Sequence, residues 1–262
     1  MLPSPLDTPQ NALWKPKISV FLCTYRPWPS ILWNIRSLKK QKFKDWELVL
    51  VQHGVVLDGY LPRWLRHKTT SLYYASDGVY RPVRIRNLAW RECRGGLIFF
   101  MHDFVDLERD DFLAQIWESS ENATKAVSTC NRVIDVRSMN QVKFSTRHCK
   151  VIKSERPEDQ PEIYNAPVDL YFHQDAVPKR ALERINGFDP VYDPPGGSHG
   201  YDDWDTRDSL LETGCVIVQR GDLFSTKLGT SHLFPLIGDK DASNAALYAC
   251  RADRQRIFKK VE

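Results

Sequence analysis

Lys17-Ile18-Ser19-Val20-Phe21-Leu22-Cys23, a following segment with Ile31, Leu32, Ile35 and Leu38, and then Trp46-Glu47-Leu48-Val49-Leu50-Val51 decide the fold. The first and last stretches are short apolar runs, the pattern of strands buried on both faces. Between them the apolar residues of 28–40 recur at helical spacing. Strand, helix and strand joined by short connections make a parallel βαβ unit. Ligands of such sheets sit beyond the carboxyl ends of the strands. Thr24-Tyr25-Arg26 and Gln52-His53-Gly54 occupy those ends, so both are expected to line one pocket.

The pattern continues with a third strand at 72–75, a helix over 83–94 stopped by Gly95-Gly96, and a central strand at 97–101. That strand runs into His102-Asp103-Phe104-Val105-Asp106, and Asp110-Asp111 opens a further helix. Strands are expected within 125–152, a Pro- and charge-rich loop over the site at 156–167, and a short helix at 178–185. Late strands follow at 215–219 and near Phe224, and 242–260 has the composition of a long helix. The expected class is α/β, with a mostly parallel central sheet flanked by helices. The expected segments are a leader at 1–16, one domain at 17–238 and a C-terminal helix at 239–262 packed on or beside it.

A chain of 262 residues can bury a substantial core, and 42% hydrophobic with 27% charged residues is ordinary for a globular protein. The net charge of +4 permits an anionic substrate such as a nucleotide without demanding nucleic acid. No apolar run approaches the roughly 18–20 residues of a membrane span, and 1–16 lacks the pattern of a signal peptide. The six cysteines are scattered with no C-x-x-C pair; three lie in apolar contexts, where cysteine acts as a small hydrophobe. A reducing, cytoplasmic setting is expected from them.

Further along, Gly187-Phe188-Asp189-Pro190 forms a turn, and Asp202-Asp203 fall where a helical pattern begins. Trp204, Arg207, Leu210 and Leu211 continue that pattern. Carboxylates at a helix N-terminus are favoured by the helix dipole, and plain capping accounts for such a pair in isolation.

Taken in order, these pieces resemble inverting family 2 glycosyltransferases with the GT-A fold. The resemblance rests on Ser19-Val20-Phe21-Leu22-Cys23-Thr24-Tyr25-Arg26, the strand Glu47–Val51, Arg86-Asn87, the acidic end of the central strand, Gly187-Phe188-Asp189 and Asp202-Asp203, and spans roughly residues 17–232. It implies a single GT-A-type Rossmann-like domain. The implied enzyme is a hexosyltransferase moving a sugar from a nucleoside diphosphate, a UDP-sugar foremost, to a saccharide or other acceptor hydroxyl.

The resemblance also implies roles. Asp203 would be the general base that takes the acceptor proton, with Asp202 positioning the acceptor and Trp204 offering it a stacking surface. Thr24, Tyr25, Arg26, Gln52, Arg86 and Asp103 would hold the nucleotide. Gln52 stands where the family carries an acid that reads the base, and Arg81 and Arg84 rival Arg86 for the diphosphate. A Mn²⁺ or Mg²⁺ ion would stabilise the leaving diphosphate, held by Asp103 and His232, with Asp106 and His102 as lesser candidates. The family's metal motif has two acids; here Met101-His102-Asp103 keeps only the second. Two alternatives stand beside this reading. One is a glycosyltransferase acting on a hydroxylated DNA base, with nucleic acid as partner; the other is a non-catalytic GT-A domain that binds a nucleotide sugar or glycan.

Overall fold

The structure is a computed structural model that describes residues 14–28, 30–75, 81–135, 141–144, 162–163, 170, 172, 174–193 and 202–229. Residues 1–13 of the expected leader, the C-terminal helix and His232 lie outside the described residues, as does the loop expected at 156–167 apart from Glu162–Ile163, which form a short strand on the last strand of the sheet in place of loop.

The chain opens with β1 (Ile18–Thr24), α1 (Leu32–Lys40) and β2 (Trp46–His53), followed by a short α2 (Arg63–Arg66) and β3 (Thr69–Tyr74). Next come α3 (Pro82–Glu92), β4 (Leu97–His102), β5 (Val105–Leu107) and α4 (Phe112–Ser119). Then follow β6 (Ala126–Asp135), β7 (Gln141–Phe144), β8 (Glu162–Ile163), β9 (Ala176–Pro178), α5 (Lys179–Ile185), α6 (Asp202–Glu212) and β10 (Ile217–Gly229).

All these strands share one sheet whose main path runs β3-β2-β1-β4-β9-β6-β10-β5. The half from β3 to β4 is parallel throughout, as the βαβ reading requires. The other half is mixed: β9 runs antiparallel to both β4 and β6, while β6 and β10 pair in parallel. The two late strands expected at 215–219 and 224 are one continuous strand, β10, with a register shift between Arg220 and Phe224. The helix expected from residue 28 starts at Leu32, because Pro27-Trp28 and Ser30 form a turn in which the Ser30 amide donates to the Pro27 carbonyl.

Alternation along the strands sorts the core into two layers. Ile18, Val20 and Leu22 of β1 pack with Ile35 and Leu38 of α1 and with Phe112 and Ile116 of α4. Phe21 of the same strand packs on the opposite face with Val83, Ile85 and Ala89 of α3 and with Leu182 and Leu210 of α5 and α6. The helices α3 and α6, which carry the candidate arginine and acids, therefore lie on one side of the sheet.

Cys93 and Cys215 are buried free thiols, in keeping with the hydrophobe reading, and Cys23 is a half-buried one. Cys130 is buried and disulfide-bonded. A bridge needs two Cβ atoms brought close by folding, and sequence separation does not reveal that proximity. Among the described residues no helix is long and apolar enough to cross a membrane.

The Gly187-Phe188-Asp189 turn is built from both ends. Gly187 ends α5 at φ +78°, and its amide donates to the Leu182 carbonyl. The Asn87 side chain of α3 then clamps the turn, donating to the Phe188 carbonyl at 2.6 Å and accepting from the Phe188 amide at 2.9 Å. Phe188 is buried against Phe100 and Phe172, with ring centroids 5.8 and 4.9 Å away. Burying such a ring contributes about 2–3 kcal/mol. A Cβ on Gly187 would meet Trp90 Nε1 at 2.4 Å and Asn87 Oδ1 at 2.5 Å. Gly187→Ala is therefore expected to destabilise the protein by about 2–4 kcal/mol, from the left-handed backbone and the overlap together. Urea denaturation of the two proteins measures it.

Candidate functional site

The register of the central strands gathers the expected site residues. Thr24 of β1 lies opposite Gln52 of β2, and Cys23 lies opposite His102 of β4. Three strand ends, carrying Thr24, Gln52 and His102-Asp103, thus sit side by side at one edge of the sheet. A cleft close by is lined by Phe21, Cys23, Ile85, Arg86, His102 and Phe172, among others. It opens between the strand ends and the first turns of α3.

Asp103 is buried and wholly engaged. Its two oxygens accept from Arg26 Nη1 at 2.6 and 2.7 Å, and Oδ2 also accepts from the Thr24 hydroxyl at 2.8 Å. The guanidinium is itself held. Nη2 donates to the Tyr25 hydroxyl at 2.9 Å, and Cζ lies 4.5 Å from the Tyr25 ring centroid and 5.8 Å from that of Phe104. Phe104 adopts φ +57°, a conformation costly for an aromatic residue and retained only where its surroundings impose it. Its amide donates to the Ser30 carbonyl.

Gln52 does not present its amide to the pocket. Oε1 accepts from the Leu57 amide, and Nε2 donates to Asp58 Oδ1 at 3.0 Å, an oxygen that also accepts from the Ser71 hydroxyl at 2.6 Å. Asp58, on a 3₁₀ turn six residues past Gln52, is the exposed acid at this strand end. Sequence reasoning passed over it, since a loop acid after β2 carries no periodic signal.

The second cluster joins α3 to α6. Arg86 was expected at the diphosphate; its Nη1 donates to Asp202 Oδ2 and, at 2.6 Å, to Asp203 Oδ1. Its guanidinium carbon lies 5.2 Å from the Phe188 ring centroid and 5.7 Å from that of Phe172. The two carboxylates differ in access: the Asp202 side chain is 4% exposed and that of Asp203 is 18%. Asp203 is therefore the member that can meet a second molecule. Burial pushes the Asp203 carboxyl up from its usual range, the Arg86 charge draws it back, and the neighbouring charges of Asp202 and Asp175 push it further. Trp204 is half-buried, with the Arg207 guanidinium 5.9 Å from its ring centroid.

Two further acids support this cluster and were not singled out in the sequence. Asp193 accepts from the Arg84 amide at 2.7 Å, so it caps the start of α3 from the 3₁₀ turn after Asp189. Burial pushes its carboxyl up to about 6, partly offset by that amide. Asp175 accepts from the Thr129 amide at 3.1 Å. Its carboxylate also satisfies a backbone group, a role that no spacing rule advertises.

Of the two expected metal ligands, Asp103 is described and pairs with Arg26, and His232 lies outside the described residues. Among them, no cluster of three His, Cys, Asp or Glu side chains could hold an ion. Asp106 pairs with Lys40 at 3.5 Å, and Asp103 already neutralises Arg26. Two unit charges 4 Å apart interact by about 4 kcal/mol at an effective dielectric near 20, and a divalent ion beside the Arg26 guanidinium doubles that repulsion.

The Arg86 contact has a measurable consequence for stability. Removing one partner of a buried ion pair costs about 3–5 kcal/mol, because the remaining charge is uncompensated. Loss of the guanidinium also moves the Asp203 carboxyl further upward. A carboxyl whose folded-state pKa exceeds its unfolded one stabilises the fold below the unfolded pKa, and that contribution is lost as pH rises through the folded one. Arg86→Gln is expected to lose about 3 kcal/mol at pH 8 and clearly less at pH 5, as measured by urea unfolding at both pH values.

No protein-family profile and no curated protein sequence matches the chain. Solved structures do. S. aureus TarS, residues 1–349, superposes with a TM-score of 0.59 at 14% identity over 83% of this chain. A mannosyltransferase from Pyrobaculum calidifontis, PcManGT, in complex with GDP-Man and Mn²⁺, gives 0.57 at 19% identity over 82%. GalNAc-T7 with UDP, GalNAc and Mn²⁺ gives 0.63 at 14% identity over 87%. The chain spans 62% of the TarS fragment, 57% of the mannosyltransferase chain and 46% of the GalNAc-T7 chain. The fold of this chain is the GT-A glycosyltransferase fold.

Proposed function

We propose that the protein is an inverting glycosyltransferase that moves a sugar from a nucleoside diphosphate to an acceptor hydroxyl. The observation that carries this reading is the Arg86-Asp202-Asp203 cluster at the start of α6, on a GT-A fold and close to the ends of the parallel strands. Asp203 is the general base. Its partial exposure lets an acceptor reach it, and its raised pKa brings it nearer the operating pH, where proton transfer is most effective. Asp202, the less exposed member, holds Arg86 and helps fix the acceptor, and Trp204 offers that acceptor an apolar face.

In the reaction, the acceptor oxygen gives its proton to the Asp203 carboxylate and attacks the anomeric carbon. The bond from that carbon to the diphosphate oxygen breaks with its electron pair leaving on the diphosphate. One displacement from the face opposite the leaving group inverts the anomeric centre. The nucleotide lies across Thr24, Tyr25 and Arg26 and the end of β2, with a UDP-sugar as the first donor to test. TarS is also known in complex with UDP, and the other two neighbours hold GDP-Man or UDP. The Mn²⁺ in two of those structures is the support for a divalent ion; the described residues do not form its site.

Non-catalytic binding of a nucleotide sugar or glycan is favoured by one observation: Gln52 and Asp103 are both engaged within the protein. Asp203→Asn separates the two readings. In a transferase it keeps nucleoside-diphosphate binding within about threefold and lowers turnover by at least about 100-fold, the scale of general-base catalysis. In a binding module the wild type shows no turnover with any donor and acceptor pair. The pH profile of wild-type kcat/KM is expected to rise through a midpoint above the usual carboxylate range, because Asp203 must lose its proton to act and burial holds that proton on.

A further inference from the structure

Asp193 is a buried acid that the reaction leaves unused. The residue is 2% exposed; its Oδ2 accepts from the Arg84 amide at 2.7 Å, and its Oδ1 has no partner among the described residues. The turn that carries it is firmly mounted. Tyr192 beside it is buried in the same core layer as Phe188, and the Asp193 amide donates to the Pro190 carbonyl at 3.1 Å. The helix end that Asp193 meets is weakly capped from its own side. Arg81, the residue before α3, makes no side-chain capping bond, and Pro82 has no amide hydrogen to offer. Arg84 stands between Pro82 and Arg86, and Pro82, Ile85 and Arg86 all line the cleft. Asp193 thus grips the turn of α3 that forms a wall of the cleft.

Resting on the transferase reading above, we propose that Asp193 is a positioning residue whose negative charge holds the first turn of α3 as a wall of the donor cleft. Donor binding therefore weakens when that charge is removed. A neutral amide in its place would accept from Arg84 in the same geometry. What the carboxylate adds is charge, which strengthens the bond to a backbone amide and is drawn to the positive end of the helix. The surrounding charges divide by element. Arg81 and Arg86 of α3 favour the carboxylate, and Asp202 at the start of α6 opposes it. Burial opposes it most, and pushes the carboxyl up to about 6. Above that pH the group is ionised and holds the helix start; below it the group is neutral and its grip slackens.

The test is calorimetric binding of nucleoside diphosphates (UDP, GDP, CDP, ADP and dTDP) to the full chain at pH 7.5 and pH 5.0, with millimolar Mn²⁺ throughout. Wild type, Asp193→Asn and Asp193→Ala are compared. Asn keeps the bond to Arg84 and loses the charge; Ala loses both. Other titrating groups of the cleft, and the diphosphate itself, are common to all three proteins, so the ratio of affinities isolates Asp193. Asp193→Asn is expected to bind the preferred diphosphate at least about threefold more weakly than wild type at pH 7.5 and equally at pH 5.0. Asp193→Ala is expected to bind more weakly than wild type at both. Hydrogen exchange of the 83–86 amides, compared at the same pH, is expected to be faster in Asp193→Asn at pH 7.5 and matched at pH 5.0. Wild-type binding that Asp193→Asn reproduces at pH 7.5 overturns the proposal and leaves the transferase reading intact. A loss that is the same at both pH values in Asp193→Asn overturns it as well, since the ionisation then plays no part. An Asp193→Asn protein that does not fold, visible by circular dichroism, also overturns it, because the carboxylate is then structural. If no diphosphate binds the wild type at either pH, the transferase reading fails and the donor-cleft role with it.

Discussion

Arg86, buried between α3 and α6, holds two carboxylates that would otherwise repel each other at the start of a helix. The contact does three things at once. It ties two helices on one face of the sheet, compensates charges that burial makes costly, and leaves Asp203 as the carboxylate with access to solvent. Its aromatic bed of Phe172 and Phe188 is supplied by the turn that Asn87, the next residue of α3, clamps in place. The GFD turn, the Arg-Asn helix and the acidic helix start are thus one mechanical unit, though they lie about a hundred residues apart in the chain.

A second guanidinium organises the ends of the parallel strands. Arg26 and Asp103 meet because β1 and β4 are adjacent parallel strands ending at the same level, with Cys23 opposite His102. The site is in this sense a consequence of strand order. Parallel strands bring their carboxyl ends together, and the loops that leave them carry the chemistry. Arg26 is matched by one carboxylate and Arg86 by two.

Much of the left half of the sheet could be read in the sequence, since Ile18–Thr24 and Trp46–His53 are apolar runs with a helical repeat between them. The right half was less legible. β9 is only three residues long and β5 equally short, below the length at which a periodic signal rises above loop composition. β10 carries Arg220-Gly221-Asp222 in its middle, which reads as a turn between two strands; pairing with β6 through a register shift makes it one. Among the site residues, the sequence pointed to Asp202, Asp203, Arg86, Arg26 and Asp103 individually. It could not show that Arg86 reaches the acids, that Arg26 occupies Asp103, or that Gln52 turns its amide onto Leu57 and Asp58.

By itself the sequence determined the elements with strong patterns, their parallel order and the residue types available for chemistry, because burial and backbone periodicity act locally and leave their mark along the chain. Only the tertiary structure decided which charge faces which. Ion pairing depends on distances between residues far apart in sequence, and desolvation depends on what else packs around them. The same five side chains could have been paired in other ways. Strand register and the packing of α3 against α6 arranged them instead as two guanidinium–carboxylate assemblies.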